Sequence, residues 1–356
     1  MNIPELVITG PDSIAASVPF IIGFTPHNSL VVMWLREGCV RLSMRLDLPP
    51  AHVAPDDWVD AVMIHRSPSD EVILCVFPPP NVSPRDDTGE LHSRELITAL
   101  LDQLGTAECH VRDVLLISGE RWWSYLCEEL ECCSPAGTPV DPDVAEAVAA
   151  RFALAGVARL PDREAVVAIC AADPVRQEVN RRGIRQARRA RSARLARTPD
   201  PRRAFETWRD EAIAVVRDSL CADISVSGEF ECEILLALGD VRVRDTVLWE
   251  MANSELHDAH RAFERAADLL RGAPTGAIAP VGSVAAILGW LIGDGVRAMA
   301  ALDRVQVEDP DYPLAELLRR SISAGLPPSG WIEMMRGLGR EACRGTLLDS
   351  PQFANR

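Results

Sequence analysis

The sequence contains no lysine: all 37 basic residues are arginine. That absence excludes a phosphate loop that sets an ammonium on the β- and γ-phosphates. It equally excludes Schiff-base chemistry, which needs a deprotonatable amine. An all-arginine composition is most simply the mark of a GC-rich genome. No G-x-S-x-G elbow, G-x-G-x-x-G loop or H-E-x-x-H pair occurs, so hydrolase, dinucleotide-binding and zincin chemistry have no motif to rest on. The first basic residue is Arg36, so no positively charged secretory leader is expected.

Long uninterrupted apolar runs are lacking too. Ser13–Leu35 and Gly272–Gly293 hold no Asp, Glu or Arg. The first is broken by Pro19 and by Gly23-Phe-Thr-Pro-His-Asn28, and the second by Pro274, Pro280 and several glycines. What remains is nearer the length of a buried core helix than of a bilayer span, so no membrane segment is expected. Ten cysteines in such a chain point to a reducing compartment, and a cytoplasmic location is expected. The net charge of -15 disfavours general attraction to nucleic acid or to an anionic membrane.

What is present reads as a globular α/β protein. At 356 residues the chain exceeds what one core usually serves, so more than one domain is expected. Over the first ~130 residues, strand and helix signals alternate. A β-hairpin is expected over 29–46 and a second over 111–126, with helices over 56–65 and 93–104 and a buried strand over 71–77. Leu6–Thr9 is a candidate strand. Hairpins mixed with crossover helices predict a mixed β-sheet with flanking helices. Ser134–Pro142, with three prolines and a glycine, reads as a linker. Beyond it the pattern is helical throughout, ending in antiparallel helical hairpins. The division expected is an α/β domain over 1–134, a linker and Arg-rich helical segment over 135–203, and an all-α region over 204–356.

Three motifs carry a resemblance. They are Val18-Pro-Phe-Ile-Ile-Gly-Phe-Thr-Pro-His-Asn-Ser-Leu-Val-Val32; Arg121-Trp-Trp-Ser-Tyr-Leu-Cys127 with Cys132-Cys-Ser-Pro-Ala-Gly137; and Ala286-Ile-Leu-Gly-Trp-Leu-Ile-Gly-Asp-Gly295 with Asp309-Pro-Asp-Tyr-Pro-Leu-Ala315. Together they resemble an actinobacterial family described only as a domain of unknown function, number 4192. The resemblance implies a bacterial, intracellular protein and supplies no activity or catalytic residue.

Four constellations are candidates for chemistry or binding. A hairpin turning at Gly119-Glu120 pairs residues whose numbers sum to about 239. It brings Cys109 and His110 opposite the segment that follows Cys127, close to Cys132 and Cys133. Thiolates and an imidazole suit zinc, yet C-x4-C-C is not a usual knuckle spacing. Buried structural thiols or a redox pair are the alternatives.

The second constellation is an arginine run. Pro174–Arg203 holds eleven arginines against Glu178 and Asp200. Arg181, Arg182, Arg185, Arg188, Arg189, Arg191 and Arg194 cover nearly all of a helix except a stripe through Val179, Ile184, Ala187 and Leu195. Such a helix can track phosphates, or pair with acidic surface on its own protein or on a partner. No aromatic residue interleaves for base stacking. Third, Leu288-Gly289, Gly295, Ala301 and Pro313 approach the spacing of one tetratricopeptide repeat, without a second copy. Ordinary helical-hairpin packing accounts for them as well.

Histidines are scattered, including His257-Asp-Ala-His260, which reads as a solvated face. His27, Asn28 and Ser29 form a loop entering a strand, where turn-forming is the simpler role. The expected function is therefore that of a non-catalytic binding or regulatory protein whose helical half engages a protein partner. A nucleic-acid-associated protein using 174–203 is the second reading. A metal- or thiol-dependent enzyme or sensor at Cys109, Cys127, Cys132 and Cys133 is the third.

Overall fold

The structure, a computed structural model, describes residues 10–49, 55–67, 70–127, 129, 133–221, 227–253 and 259–345, with the backbone alone at 55–57. The candidate strand Leu6–Thr9 lies outside the described residues. The chain divides into two compact units, Met1–Ala165 and Val166–Arg356.

The first unit opens with α1 (Pro11–Ile22), then β1 (Ser29–Arg36), β2 (Cys39–Asp47), α2 (Pro55–Met63), β3 (Glu71–Phe77) and α3 (Arg94–Thr106). It continues with β4 (His110–Ser118), β5 (Arg121–Ser124), β6 (Thr138–Pro139), α4 (Pro142–Leu154) and α5 (Arg163–Ile169), the last crossing into the second unit. The strands form one mixed sheet in the order β2-β1-β3-β4-β5-β6, in which only β3 and β4 pair in parallel. That parallel pair requires a crossover, and α3 supplies it. Both faces of the central strands are covered, which is why Leu30–Leu35 and Val72–Phe77 are continuous buried apolar runs.

Leu30, Val32, Trp34, Leu74, Val76 and Leu116 pack with Val59 and Val62 of α2 and with Ile97, Leu100 and Leu104 of α3. Helix α1 contacts β2, β4 and β5, and α4 packs on α1 with Phe20 stacked on Phe152 at 4.7 Å. Glu37 and Gly38, both at positive φ, make the tight turn between β1 and β2. The β1–β2 ladder slips by one residue at Arg41. This bulge lets Arg41 join Arg36 on the buried carboxylate of Asp70, at 2.7 and 2.9 Å.

Ser134–Pro142, expected as a linker, is corrected in part: Thr138 and Pro139 pair with Trp122 and Arg121 as β6. A proline lacking its N–H is tolerated there because β6 is an edge.

The second unit is helical. In chain order it holds α6 (Pro174–Ala196), α7 (Pro201–Cys221), α8 (Glu229–Leu238), α9 (Val241–Asn253) and α10 (Ala259–Gly272). There follow α11 (Ile278–Leu291), α12 (Gly295–Glu308), α13 (Pro313–Ser323), α14 (Pro328–Gly337) and α15 (Arg340–Arg344). Helix α11 is the hub, buried from Ile278 to Trp290, as the apolar run predicts for a core helix. Among the described residues no helix is long and apolar enough to cross a membrane. The α11–α12 hairpin is tight because Gly289 lies against Ala298, whose backbone nitrogen would stand 2.9 Å from any Cβ at 289.

Candidate functional site

Helix α6 starts at an N-cap: the Asp173 side chain accepts from the Arg176 N–H at 3.0 Å, and Pro174 occupies the first turn. At 100° per residue its arginines separate into two sets. One set turns inward. Arg176 grips Asp268 with both terminal nitrogens, each at 2.8 Å, and reaches Glu231 through Nε at 2.9 Å. Asn180 donates to the same Glu231 at 2.8 Å and to the Gly272 carbonyl at 2.9 Å. Glu231 is 2% exposed, and deleting a partner of such a buried ion pair typically costs about 3–5 kcal/mol. The hydrogen bonds that Arg176 donates to Asp268 and Glu231 hold its guanidinium above its ordinary pKa.

Arg191 is half-buried and lies 4.3 Å above the Trp208 ring, with Phe205 at 5.7 Å. Burial lowers its pKa, although it stays cationic. Arg194 faces Glu211 at 3.8 Å. Two of the seven candidate arginines, the half-buried Arg191 and the exposed Arg194, thus meet partners on α7.

The other five, Arg181, Arg182, Arg185, Arg188 and Arg189, occupy an arc of about 120° and are all exposed. Arg181 and Arg182 share Glu178, with the Arg182 contact at 2.8 Å. Arg185, Arg188 and Arg189 have neither ion pair nor side-chain hydrogen bond among the described residues, and they follow one another along the outside of the helix.

The expected apolar stripe is corrected at one position. Ile184 is buried and Ala187 packs on the core, whereas Val179 is 57% exposed. The inner line runs instead through Arg176, Asn180, Gly183 and Ala187. Hydrophobic periodicity cannot show such a line, because half of it is polar. Gly183 was the available sign: a glycine in mid-helix marks close approach, and a Cβ there would collide with Cys232 Sγ of α8.

At the cysteine end of the sheet, the described candidates Cys109 and His110 have different surroundings. Cys109 is buried in the sheet–helix core, and its thiol donates to the Asp70 carbonyl at 3.3 Å. Its neighbour His110 is exposed and pairs with Glu71 on β3. Consecutive residues of an extended chain face opposite ways. Cys127 and Cys133 are half-buried, and Cys132 lies outside the described residues. Strand pairing between β4 and β5 runs from Ser118–Arg121 to Leu115–Ser124, short of Cys109. No group of three or more His, Cys, Asp or Glu among the described residues is placed to hold a metal ion.

His27 is exposed, Asn28 takes a left-handed φ of 46°, and the buried Ser29 hydroxyl donates to the His27 carbonyl at 2.5 Å. These are the marks of a turn, with Asn at the position that tolerates positive φ. His257 lies outside the described residues. A cleft of about 250 Å³ between α2 and α3 is lined by Val59, Asp60, Ala99, Asp102 and Gln103 and brings no nucleophile to an acid or base.

The resemblance motifs serve as scaffold. Trp123 donates to the Pro135 carbonyl at 3.0 Å, and Arg121 to the Gly137 carbonyl at 2.8 Å. Gly137, at φ 80°, leaves the space that the Trp123 ring fills. Trp290 donates to Leu326, and Asp294 caps α12 through the Arg297 N–H at 2.9 Å. A family model described as a domain of unknown function (DUF4192) matches residues 11–329. The chain belongs to that family. The match takes in all three motifs, from Val18 to Ala315. No curated protein and no solved structure matches the chain.

Proposed function

We propose that this protein is a cytoplasmic, non-catalytic binding protein, and that the outer face of α6 in its helical unit engages an acidic macromolecular partner. The observation that carries the reading is the unmatched trio Arg185, Arg188 and Arg189. In a chain with a net charge of -15, acidic groups to neutralise them are plentiful, and their neighbours on α6 have found some. Like charges three and four residues apart cost a helix about 0.2–0.5 kcal/mol per pair, so the fold gains nothing from this arrangement. A binding surface does.

Retention of the full chain on immobilised polyglutamate, measured against salt, tests the reading. The parent is expected to be retained and to elute as ionic strength rises. The triple variant Arg185→Ala, Arg188→Ala, Arg189→Ala is expected to pass through. Equal retention of parent and variant would sink the reading.

A further inference from the structure

We infer that the partner on this face is an acidic amphipathic helix of another protein, seated along α6 with its apolar end on Val175 and Val179. The inference rests on the binding role of α6 just given and names the partner's chemistry. Val175, Val179, Arg182, Gln186, Arg189 and Ala193 recur at alternating steps of four and three residues, which is the spacing of a seam that a second helix can follow. All six are exposed. Val175 is 77% exposed and Val179 57%, at the N-terminal end of the seam. Phe230, 45% exposed, sits at the same end of α6, since its neighbour Glu231 bonds both Arg176 and Asn180. The strip is therefore apolar at one end and strongly basic at the other, with Arg185 and Arg188 flanking the basic part.

This division favours a protein partner over a nucleic acid. A sugar–phosphate backbone is charged along its whole length and leaves Val175 and Val179 facing hydrated phosphates. The exposed arginines carry no aromatic residue between them on which a base could stack. Charge acts in the same direction. A long polyanion meets the acidic remainder of the chain, whereas a short acidic segment on α6 feels mainly charges within a Debye length, about 8 Å at physiological salt. A helix with leucines at one end of a seam and glutamates at the other satisfies both ends at once.

Three labelled probes test this against the full chain by fluorescence anisotropy at about 0.15 M salt, the condition of that screening length. The first is a synthetic amphipathic helix with leucines at one end of its seam and glutamates at the other, made in both sequence orders. The second is the same peptide with glutamine for leucine, and the third is a short DNA duplex. The leucine peptide, in one of its orders, is expected to bind most tightly. Val175→Ser with Val179→Ser is expected to weaken it about tenfold while leaving the glutamine peptide unchanged. The triple arginine variant is expected to weaken both peptides. Circular dichroism of each variant should match the parent, because all the altered side chains are exposed. The inference is overturned if the valine variant binds the leucine peptide like the parent, if the duplex binds more tightly than the peptide, or if neither peptide binds. Arginine-dependent binding of the glutamine peptide or the duplex would in those cases still support the broader reading. Loss of arginine dependence for every probe would remove both.

Discussion

Gly183 of α6 passes so close to Cys232 of α8 that no side chain fits between them. Helix propensity alone makes Gly183→Ala stabilising by about 1 kcal/mol. Forcing a methyl group into a filled contact costs about 1–3 kcal/mol. Packing is expected to prevail, so the urea midpoint of Gly183→Ala should fall. Adding Cys232→Ala, which removes the obstructing sulfur, should recover part of the loss. A midpoint that rises in the single variant would show that α6 and α8 are not held at this separation.

Arg185 stands at the centre of the basic arc, three or four residues from Arg181, Arg182, Arg188 and Arg189. Arg185→Glu converts four like-charge pairs into opposite-charge pairs. Stability is expected to rise by about 1 kcal/mol at low salt, while retention on polyglutamate falls. Thermal melts at low and high salt check the first half, and the gain should shrink as salt screens it. A substitution that strengthens the fold and weakens binding is the behaviour expected of a surface kept for a partner.

Asp70 supplies the pH dependence. Burial of its carboxyl raises the pKa, but the hydrogen bonds from Arg41, the Ser67 N–H and Arg36 outweigh that and leave it below the usual range. A depressed folded-state pKa stabilises the protein above the unfolded value near 4, and that contribution disappears as pH falls through the folded value. Asp70→Asn should therefore cost about 2 kcal/mol at neutral pH, and the gap to the parent should close in acid. Denaturant titrations at pH 7, 5 and 3.5 measure it. A gap that stays constant to pH 3.5 would mean that the charge on Asp70 is not what holds Arg36 and Arg41.

Thiol labelling separates the cysteines by burial. Cys39 and Cys221 are exposed and should react first under native conditions. Cys75, Cys109, Cys170, Cys232 and Cys343 are buried and should react only as the protein unfolds. Desolvation pushes the Cys170 thiol up to about 11, which lowers its thiolate fraction further. Cys109→Ala should leave zinc content unchanged, since its sulfur is spent on the core and on Asp70. Peptide mapping after a brief iodoacetamide pulse, together with metal analysis, tests both statements.

Much of the fold was legible in residues. The two-residue turn at Gly119-Glu120 determines the β4–β5 register, and Leu115 faces Ser124 just as Ile117 faces Trp122. Buried strands such as Glu71–Phe77 declare themselves by length and composition. Thr138–Pro139 did not, because proline is read as a linker signal wherever edge pairing is invisible. The inner face of α6 was hidden for another reason. Its inner line is Arg176, Asn180 and Gly183, the first two satisfied by Glu231, Asp268 and Gly272, residues 50 to 100 positions away in sequence. Val179 then drew the apolar stripe to the wrong side. Of the seven arginines, only neighbours supplied by the tertiary fold, Trp208 and Glu211 on α7, distinguish Arg191 and Arg194 from the other five.

The two ends of the sheet limit how copies of this chain can associate. β2 carries a bulge at Arg41 and charged side chains at Arg45 and Asp47, and β6 is two residues long and ends in a proline. An unpaired strand invites a neighbouring molecule to zip onto it, and kinks, charges and proline are what discourage this. A chain with almost half its residues apolar is thereby protected from fibrous self-assembly at both edges of this sheet. Recognition is left to side chains, and so can be selective.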